Sequence, residues 1–318
     1  RHAMNHVGQH TVATVGTFDG MHLGHQYLAK MLLDKAGERG GRAMVFTFAS
    51  HPRREPLLMP VSDKVACIQK MGIEVSVLEF TQELKALSAA DFMLMLNRDY
   101  GVDMLLMGFN NNFGHSRPDS FGGYVELGRN TGIEVVAAPE YVMPECGVAV
   151  SSSYVRNLLS GCRPVEAADM LGRFYSLKGV VVHGKELGRT IGYPTANVEP
   201  FCSSQLVPGR GVYASRIKLH TENGTACVYP AMLNIGHRPT VDAAGAPETI
   251  EVHILGGFSQ QIYGCAVEVE FLKYLRPERR FDSLDGLKRQ LSADAHAVAM
   301  LCGGVYGQGA RQYRCSEN

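Results

Sequence analysis

Between residues 11 and 138, short apolar, β-branched runs alternate with stretches whose apolar residues recur at helical spacing. The runs 11-TVATVG, 43-AMVFTF, 74-EVSVLEF, 102-VDMLLMG and 133-IEVVAA have few polar positions to set towards water, which predicts strands buried on both faces. Helices are predicted between them: 26-QYLAKMLLDKAGERG, a segment near 62–71, one from Ser88 and one after Pro118. Ser88, with Asp91 three residues on and then Phe92, Leu94 and Met95, has the form of a capped helix start. Strands alternating with helices in this way imply a parallel sheet with helical crossovers.

The pattern changes after 151-SSSYVRNLLSGCRPVEAADMLGRFY-175, which predicts two short helices broken near Gly161 and Pro164. The runs 177-LKGVVVHG, 211-GVYASRIKLH, 225-TACVYPAMLNIG, 249-TIEVHIL and 265-CAVEVEFLKYL follow without long helices between them, and Glu222-Asn223-Gly224 is a hairpin turn signal. Short strands at this density predict a small antiparallel barrel. A helix from about Ser283 carries Leu284, Leu287, Leu291, Ala295 and Val298 on one stripe. The fold class is therefore α/β plus β: a Rossmann-like domain over 5–172, a barrel domain with a C-terminal helix over 173–302, and a tail, 303–318, to which the sequence assigns no role.

Composition narrows the choice of partner. Lys plus Arg and Asp plus Glu balance at 31 each, so no global field draws nucleic acid or an anionic membrane, and any polyanion has to be caught locally. No apolar run reaches the ~18–20 residues that span a bilayer, and the first residues lack a signal-peptide core; the expectation is a cytoplasmic protein. The 8 cysteines contain no C-x-x-C pair and are expected to be free thiols.

Two segments then stand out in the first half. The loop 16-GTFDG-20 follows a strand, and His22 and His25 stand at the start of the next helix. Ligands of parallel sheets lie beyond the carboxyl ends of strands, where helix amides and the positive dipole end point. Residues three apart share a helix face, so both imidazoles can address one anion. A zinc site is the competing reading of the pair, although helical zinc pairs usually take i, i+4 spacing with a third ligand. Residues 151-SSSYVR-156 form a second helix mouth with hydroxyls, free amides and Arg156 one turn in, which makes a second anion site.

The combination of 16-GTFDGMHLGH-25 with 151-SSSYVR-156 resembles the nucleotidylyltransferase superfamily, specifically the FMN adenylyltransferase half of bacterial bifunctional riboflavin kinase/FAD synthetases. The resemblance implies that His22 and His25 hold ATP phosphates, with Gly16, Phe18, Gly24, Ser151 and Ser152 around the nucleotide. Arg156 and Ser152 would hold the departing pyrophosphate, and Asn110 would border the flavin. The FMN phosphate is the nucleophile, so no covalent enzyme intermediate is needed and catalysis is positioning plus electrostatics. Three positions depart from the family pattern: Ala49 in 48-FASHP-52 and Asn110 in 108-GFNNNFG-114 each stand where an acid is usual, and Thr17 stands where Asn is frequent.

In the second half, 184-GKELGRTIGYPTAN-197 resembles the ATP loop of riboflavin kinases and is not a Walker loop, since G-K-[ST] is missing. Gly184, Gly188 and Gly192 give a loop able to wrap phosphates with backbone amides, and the resemblance adds Arg189 and Pro194 to the ATP contacts. Thr195 and Asn197 offer neutral oxygens on one face of an extended strand, which suits Mg²⁺ bound together with ATP. The segments 234-NIGHRPT-240, 249-TIEVHIL-255, 262-IYG-264 and 275-LRPERRF-281 recur in the family. The resemblance assigns Glu251 as the general base on the ribityl 5′-hydroxyl, a role suited to a strand carboxylate aimed into a barrel mouth beside a cation. It puts Arg276 and Phe281 at the flavin, beside the C-terminal helix.

The implied protein is a transferase working on small molecules (riboflavin, FMN and ATP), with FMN and FAD as substrate and product and not as prosthetic groups. It is expected as a monomer or weak homo-oligomer without nucleic-acid or membrane partners. Ala49 and Asn110 motivate an alternative, a riboflavin kinase with a weak adenylyltransferase module; a flavin-binding regulator without turnover is the reading from another class.

Overall fold

The computed structural model describes residues 10–49, 55–108, 113–183, 195–220, 226–237, 248–256 and 262–306. The chain divides into two compact units, Arg1–Tyr154 and Val155–Asn318, a division upstream of residue 173, where the sequence pattern changes.

In the first unit β1 (Thr11–Val15), β2 (Arg42–Phe48), β3 (Glu74–Leu78), β4 (Val102–Met107) and β5 (Glu134–Ala137) form a sheet in the order β3-β2-β1-β4-β5. All four pairings are parallel. The central strand β1 is buried at every position, as a strand covered on both faces must be. Val12, Val45 and Met104 pack with Leu28 and Leu32 of helix α1 (Leu23–Glu38) and Ile68 of α2 (Val61–Lys70). Ala13, Val15, Phe46 and Leu105 pack on the other face with Phe92, Met93 and Leu96 of α4 (Ala89–Tyr100) and Tyr124 of α5 (Phe121–Thr131). The predicted cap is present: the Asp91 amide donates to Ser88 Oγ at 3.1 Å. A short helix, α3 (Gln82–Ala86), capped by Thr81, was not expected. The direction of crossover reverses between β1 and β4, which makes the carboxyl ends of these two strands the switch point of the sheet.

Helices α6 (Ser152–Ser160) and α7 (Pro164–Leu171) follow, broken as predicted. The second unit closes into an antiparallel barrel of order β10-β7-β6-β11-β8-β9. Its strands are β6 (Tyr175–Val182), β7 (Ala196–Pro200), β8 (Gly211–His220), β9 (Ala226–His237), β10 (Glu248–Ile254) and β11 (Ala266–Arg276). Side chains alternate between barrel interior and exterior; on β10 Ile250, Val252 and Ile254 are buried while Thr249, Glu251 and His253 are half-buried. β8 and β9 pair antiparallel along their length, and the turn signal at 222–224 between them lies outside the described residues.

Helix α8 (Leu284–Tyr306) packs through Leu291, Ala295, Val298 and Cys302 against Ala214 and Met232 of the barrel wall. Full burial of Val298 stabilises this contact by roughly 2 kcal/mol. The expected stripe needs one correction: Leu284 is 65% exposed. It belongs to the first turn, before the helix reaches the barrel, and the stripe gains Cys302 at its other end. Residues 307–318 lie outside the described residues.

Candidate active sites

The loop after β1 is shaped by three departures from ordinary backbone within four residues. Phe18 (φ 49), Gly20 (φ 77) and Met21 (φ 42) all have positive φ, and the loop turns tightly enough to bury Phe18, Asp19 and Met21. At Gly20 a Cβ would stand 2.9 Å from Leu58, so only glycine fits. The Asp19 carboxylate, 2% exposed, accepts the Leu58 amide with both oxygens at 2.9 and 3.0 Å, a charge-assisted anchor for the loop.

His22 caps α1: its Nδ1 accepts the His25 amide at 3.3 Å. The two imidazoles stack, with centroids 3.6 Å apart and planes 18° from parallel. Because His22 Nδ1 is an acceptor, the neutral ring carries its proton on Nε2. His25 Nδ1 is enclosed and has no hydrogen-bond partner among the described residues. A buried imidazole tolerates an unpaired lone pair better than an unpaired N–H, so the same Nε2 tautomer is assigned to His25. Burial, reinforced by the neighbouring charges of His22 and Lys64, holds the His25 pKa well below the usual imidazole value. The pair thus places two Nε2–H donors at a helix N-terminus, that of His25 on a ring kept neutral by burial. The expected shared helix face is realised differently, since His22 is the cap, outside the helix, and stacking brings the rings together.

Phe18, expected at ATP, is 1% exposed, and its ring lies 5.0 Å from that of His25, so it supports the histidine from the core and is not an open face. Gly16 donates to the Phe46 carbonyl at 3.0 Å and fixes the start of the loop. A Cβ on Gly24 would stand 3.2 Å from the His22 ring and 3.4 Å from the Val150 carbonyl. The second segment meets the first here: Ser152 Oγ donates to the Asp19 carbonyl at 2.9 Å across 133 residues. Ser151 Oγ caps α6 by accepting the Tyr154 amide at 3.2 Å. Arg156, one turn along that helix, is buried.

Sequence reasoning missed Lys64. This side chain on α2 is 4% exposed, and its Nζ donates to the carbonyls of Thr17 at 2.8 Å and Phe48 at 3.1 Å, clamping the ends of β1 and β2. Burial lowers its pKa to about 8, against the opposing pull of Asp19. In the sequence it is one of two lysines in a short amphipathic helix, and no local signal separates it from a solvated one. Ala49, directly beyond this clamp, is exposed. Asn110 lies outside the described residues, although the flanking Phe113 is held by Tyr124, whose hydroxyl accepts from its amide at 3.0 Å and donates to its carbonyl at 2.8 Å.

In the barrel unit Gly184, Gly188, Arg189, Gly192 and Pro194 lie outside the described residues. Thr195 and Asn197 are half-buried where the chain enters β7. Asn197 stands directly opposite Glu251 of β10. Glu251 is half-buried and points opposite in sense to the buried Ile250 and Val252, because the strand alternates and the interior is filled with aliphatic side chains. Arg276 makes a bidentate contact with the buried Asp294 of α8, at 2.7 Å from Nη2 and 3.0 Å from Nε, and its Nη1 donates to the Pro277 carbonyl at 3.2 Å. Its guanidinium lies 5.9 Å from the centre of the Phe281 ring. The two residues expected at the flavin are thus brought together, with Arg276 holding the helix.

A parallel sheet with a tightly turned, glycine-bearing loop and two helix N-termini at its switch point, in one chain with a closed antiparallel barrel, defines a two-module α/β plus β protein. The riboflavin kinase family matches residues 171–302 and the FAD synthetase family residues 4–154. The chain is 33% identical to the bifunctional riboflavin kinase/FMN adenylyltransferase of Bacillus subtilis, covering 89% of this chain and 90% of that one. It is 36% identical to the Pseudomonas fluorescens protein of the same name, over 91% and 92% of the two chains. The chain belongs to the bifunctional riboflavin kinase/FMN adenylyltransferase family. A solved structure titled as a macrolide-efflux protein from Streptococcus pneumoniae shares the fold, with a TM-score of 0.80 and 28% identity over 92% of this chain and 94% of that one. Among the described residues here, no helix is long and apolar enough to cross a membrane.

Proposed function

We propose that the barrel module phosphorylates riboflavin with ATP and that the sheet module adenylylates the resulting FMN, giving FAD and pyrophosphate. The observation that carries the second step is the bond from Ser152 to the Asp19 carbonyl, which gathers both anion-binding segments at one strand end. The ATP phosphates lie against the amides of the loop 16–21 and the mouth of α1. An oxygen of the FMN phosphate attacks the α-phosphorus as the bond to the β-phosphate oxygen breaks. Nε2–H of His22 and His25 stabilise the charge of the five-coordinate transition state. Ser151, Ser152 and Arg156 receive the pyrophosphate. No proton is exchanged with the enzyme.

In the barrel, Glu251 takes the proton of the ribityl 5′-hydroxyl while its oxygen forms the bond to the γ-phosphorus and the bond to ADP breaks. Thr195 and Asn197 fit Mg²⁺: they offer neutral oxygens, with the Glu251 carboxylate opposite Asn197 and the remaining ligands left to ATP. Bound there, the ion would neutralise charge on the transferring phosphates. Arg276 and Phe281 border the flavin, Arg276 acting by holding α8. The functional modules we assign are 5–172 and 173–302. The neutral charge balance supports a protein without nucleic-acid or anionic-membrane partners; we further propose a cytoplasmic monomer or weak homo-oligomer.

The exposed Ala49, where the family pattern has an acid, favours a second reading in which adenylylation is slow. Supplying FMN, ATP and Mg²⁺ and resolving the flavins by chromatography tests the adenylyl step alone. Steady conversion to FAD supports the main reading; unchanged FMN, with riboflavin still phosphorylated, supports the second.

A further inference from the structure

A side chain beside Glu251 has a built hydrogen-bonding position that nothing among the described residues fills. Asn234 on β9 stands directly opposite Glu251 of β10, which in turn stands opposite Asn197 of β7. The three therefore form one row across adjacent strands on the outer face of the barrel, with opposed Cβ atoms about 5 Å apart. Asn234 Nδ2 donates to Glu278 Oε1 at 3.0 Å, whereas Oδ1 is shut off from solvent and has no hydrogen-bond partner.

The orientation of this amide is determined by its partner. A carboxylate can only accept, so the nitrogen must face Glu278 and the oxygen must face away from it. Glu278 is itself seated close to the strand: its carboxylate lies over Gly236, in the space that a Cβ there would enter. A buried amide oxygen without a donor is costly, and such an atom beside a reacting group is explained when a ligand supplies the donor. An acceptor next to a carboxylate base suits an O–H group and rejects an anion.

We propose that Asn234 is a substrate-positioning residue of the kinase site, its Oδ1 accepting a hydrogen bond from a secondary hydroxyl of the ribityl chain of riboflavin. The proposal rests on the reading of Glu251 as the base for the terminal hydroxyl of the same chain. The ribose of ATP carries the same chemistry, and the two sources are separated by which Michaelis constant moves.

The test uses the full chain with Asn234→Leu, a near-isosteric change that removes the acceptor. Its KM for riboflavin should rise about tenfold, the effect of one hydrogen bond to a neutral group, while KM for ATP stays constant. A flavin whose N10 chain retains only the terminal hydroxyl should be phosphorylated less efficiently than riboflavin by the unaltered protein. Asn234→Leu should lose that discrimination. Equal discrimination in both proteins, or a change in KM for ATP alone, would overturn the proposal. Should Asn234→Leu fail to fold, Glu278→Gln carries the test: its amide allows Asn234 to flip, so KM for riboflavin should rise several-fold with kcat unchanged, and an unaltered KM overturns it. Failure of the base assignment is distinguishable, because it would appear as full turnover in Glu251→Gln.

Discussion

Ser152 Oγ donates to the backbone carbonyl of Asp19 at 2.9 Å, and through this bond the mouth of α6 is fixed to the loop that carries the histidines. Asp19 is held in turn by the Leu58 amide. Ser152→Ala removes a neutral hydrogen bond worth about 1 kcal/mol. FAD formation from FMN should fall about fivefold, the rate equivalent of that energy, and FMN formation from riboflavin should be unchanged; assays of the two half-reactions on one preparation check this. Equal losses in both would show that the bond supports the whole chain and not one site.

His25→Ala should abolish FAD formation and spare the kinase, because the donor lost is in the sheet unit. The pH behaviour of His25 is a separate expectation. Its native pKa lies well below 6.5, chiefly through burial, so the ring remains neutral as the pH falls from 7.5 to 6. Below about 6.5 the unfolded chain binds the proton that the native one refuses, and stability declines with falling pH. A ring-carbon NMR titration of His25 with a midpoint at or above 6.5 would contradict the assignment.

Lys64 gives the opposite limb. Its native pKa of about 8 lies below the ordinary 10.5, so between these values the unfolded chain holds more protons and stability rises with pH. Relative to Lys64→Met, the unaltered protein should gain on the order of 2 kcal/mol in the sheet unit between pH 7.5 and 9.5. Denaturant melts of both proteins at the two pH values measure the difference. A flat difference would mean that the ammonium is not buried in solution.

For Glu251→Gln, loss of the base should lower kinase turnover by about 10²–10⁴-fold, while FMN supplied directly is still converted to FAD. Retained phosphorylation of riboflavin would remove Glu251 from the mechanism.

The elements were legible wherever the hydrophobic period was strong. The strands of the parallel sheet, the Ser88 cap and the break between α6 and α7 all follow from spacing and punctuation. So does the barrel, because its strands alternate over long runs. Burial of polar groups was not legible. Lys64 sits in a helix whose pattern resembles a surface one, and only the tertiary approach of the Thr17 and Phe48 carbonyls makes it a clamp. The row that Glu251 forms with Asn197 and Asn234 was not legible for a related reason: alternation shows that a strand has two faces but not which residues of its neighbours stand opposite. Arg276 was placed near the helix, but its partner Asp294, ~18 residues on, could be found only once α8 was docked.

The central claim is that one chain performs both transfers in sequence. It is tested most directly by incubating the protein with riboflavin, excess ATP and Mg²⁺ and following the flavins by chromatography over time. FMN should rise first and then be converted to FAD, with one pyrophosphate released per FAD. FMN that accumulates without any FAD would contradict it.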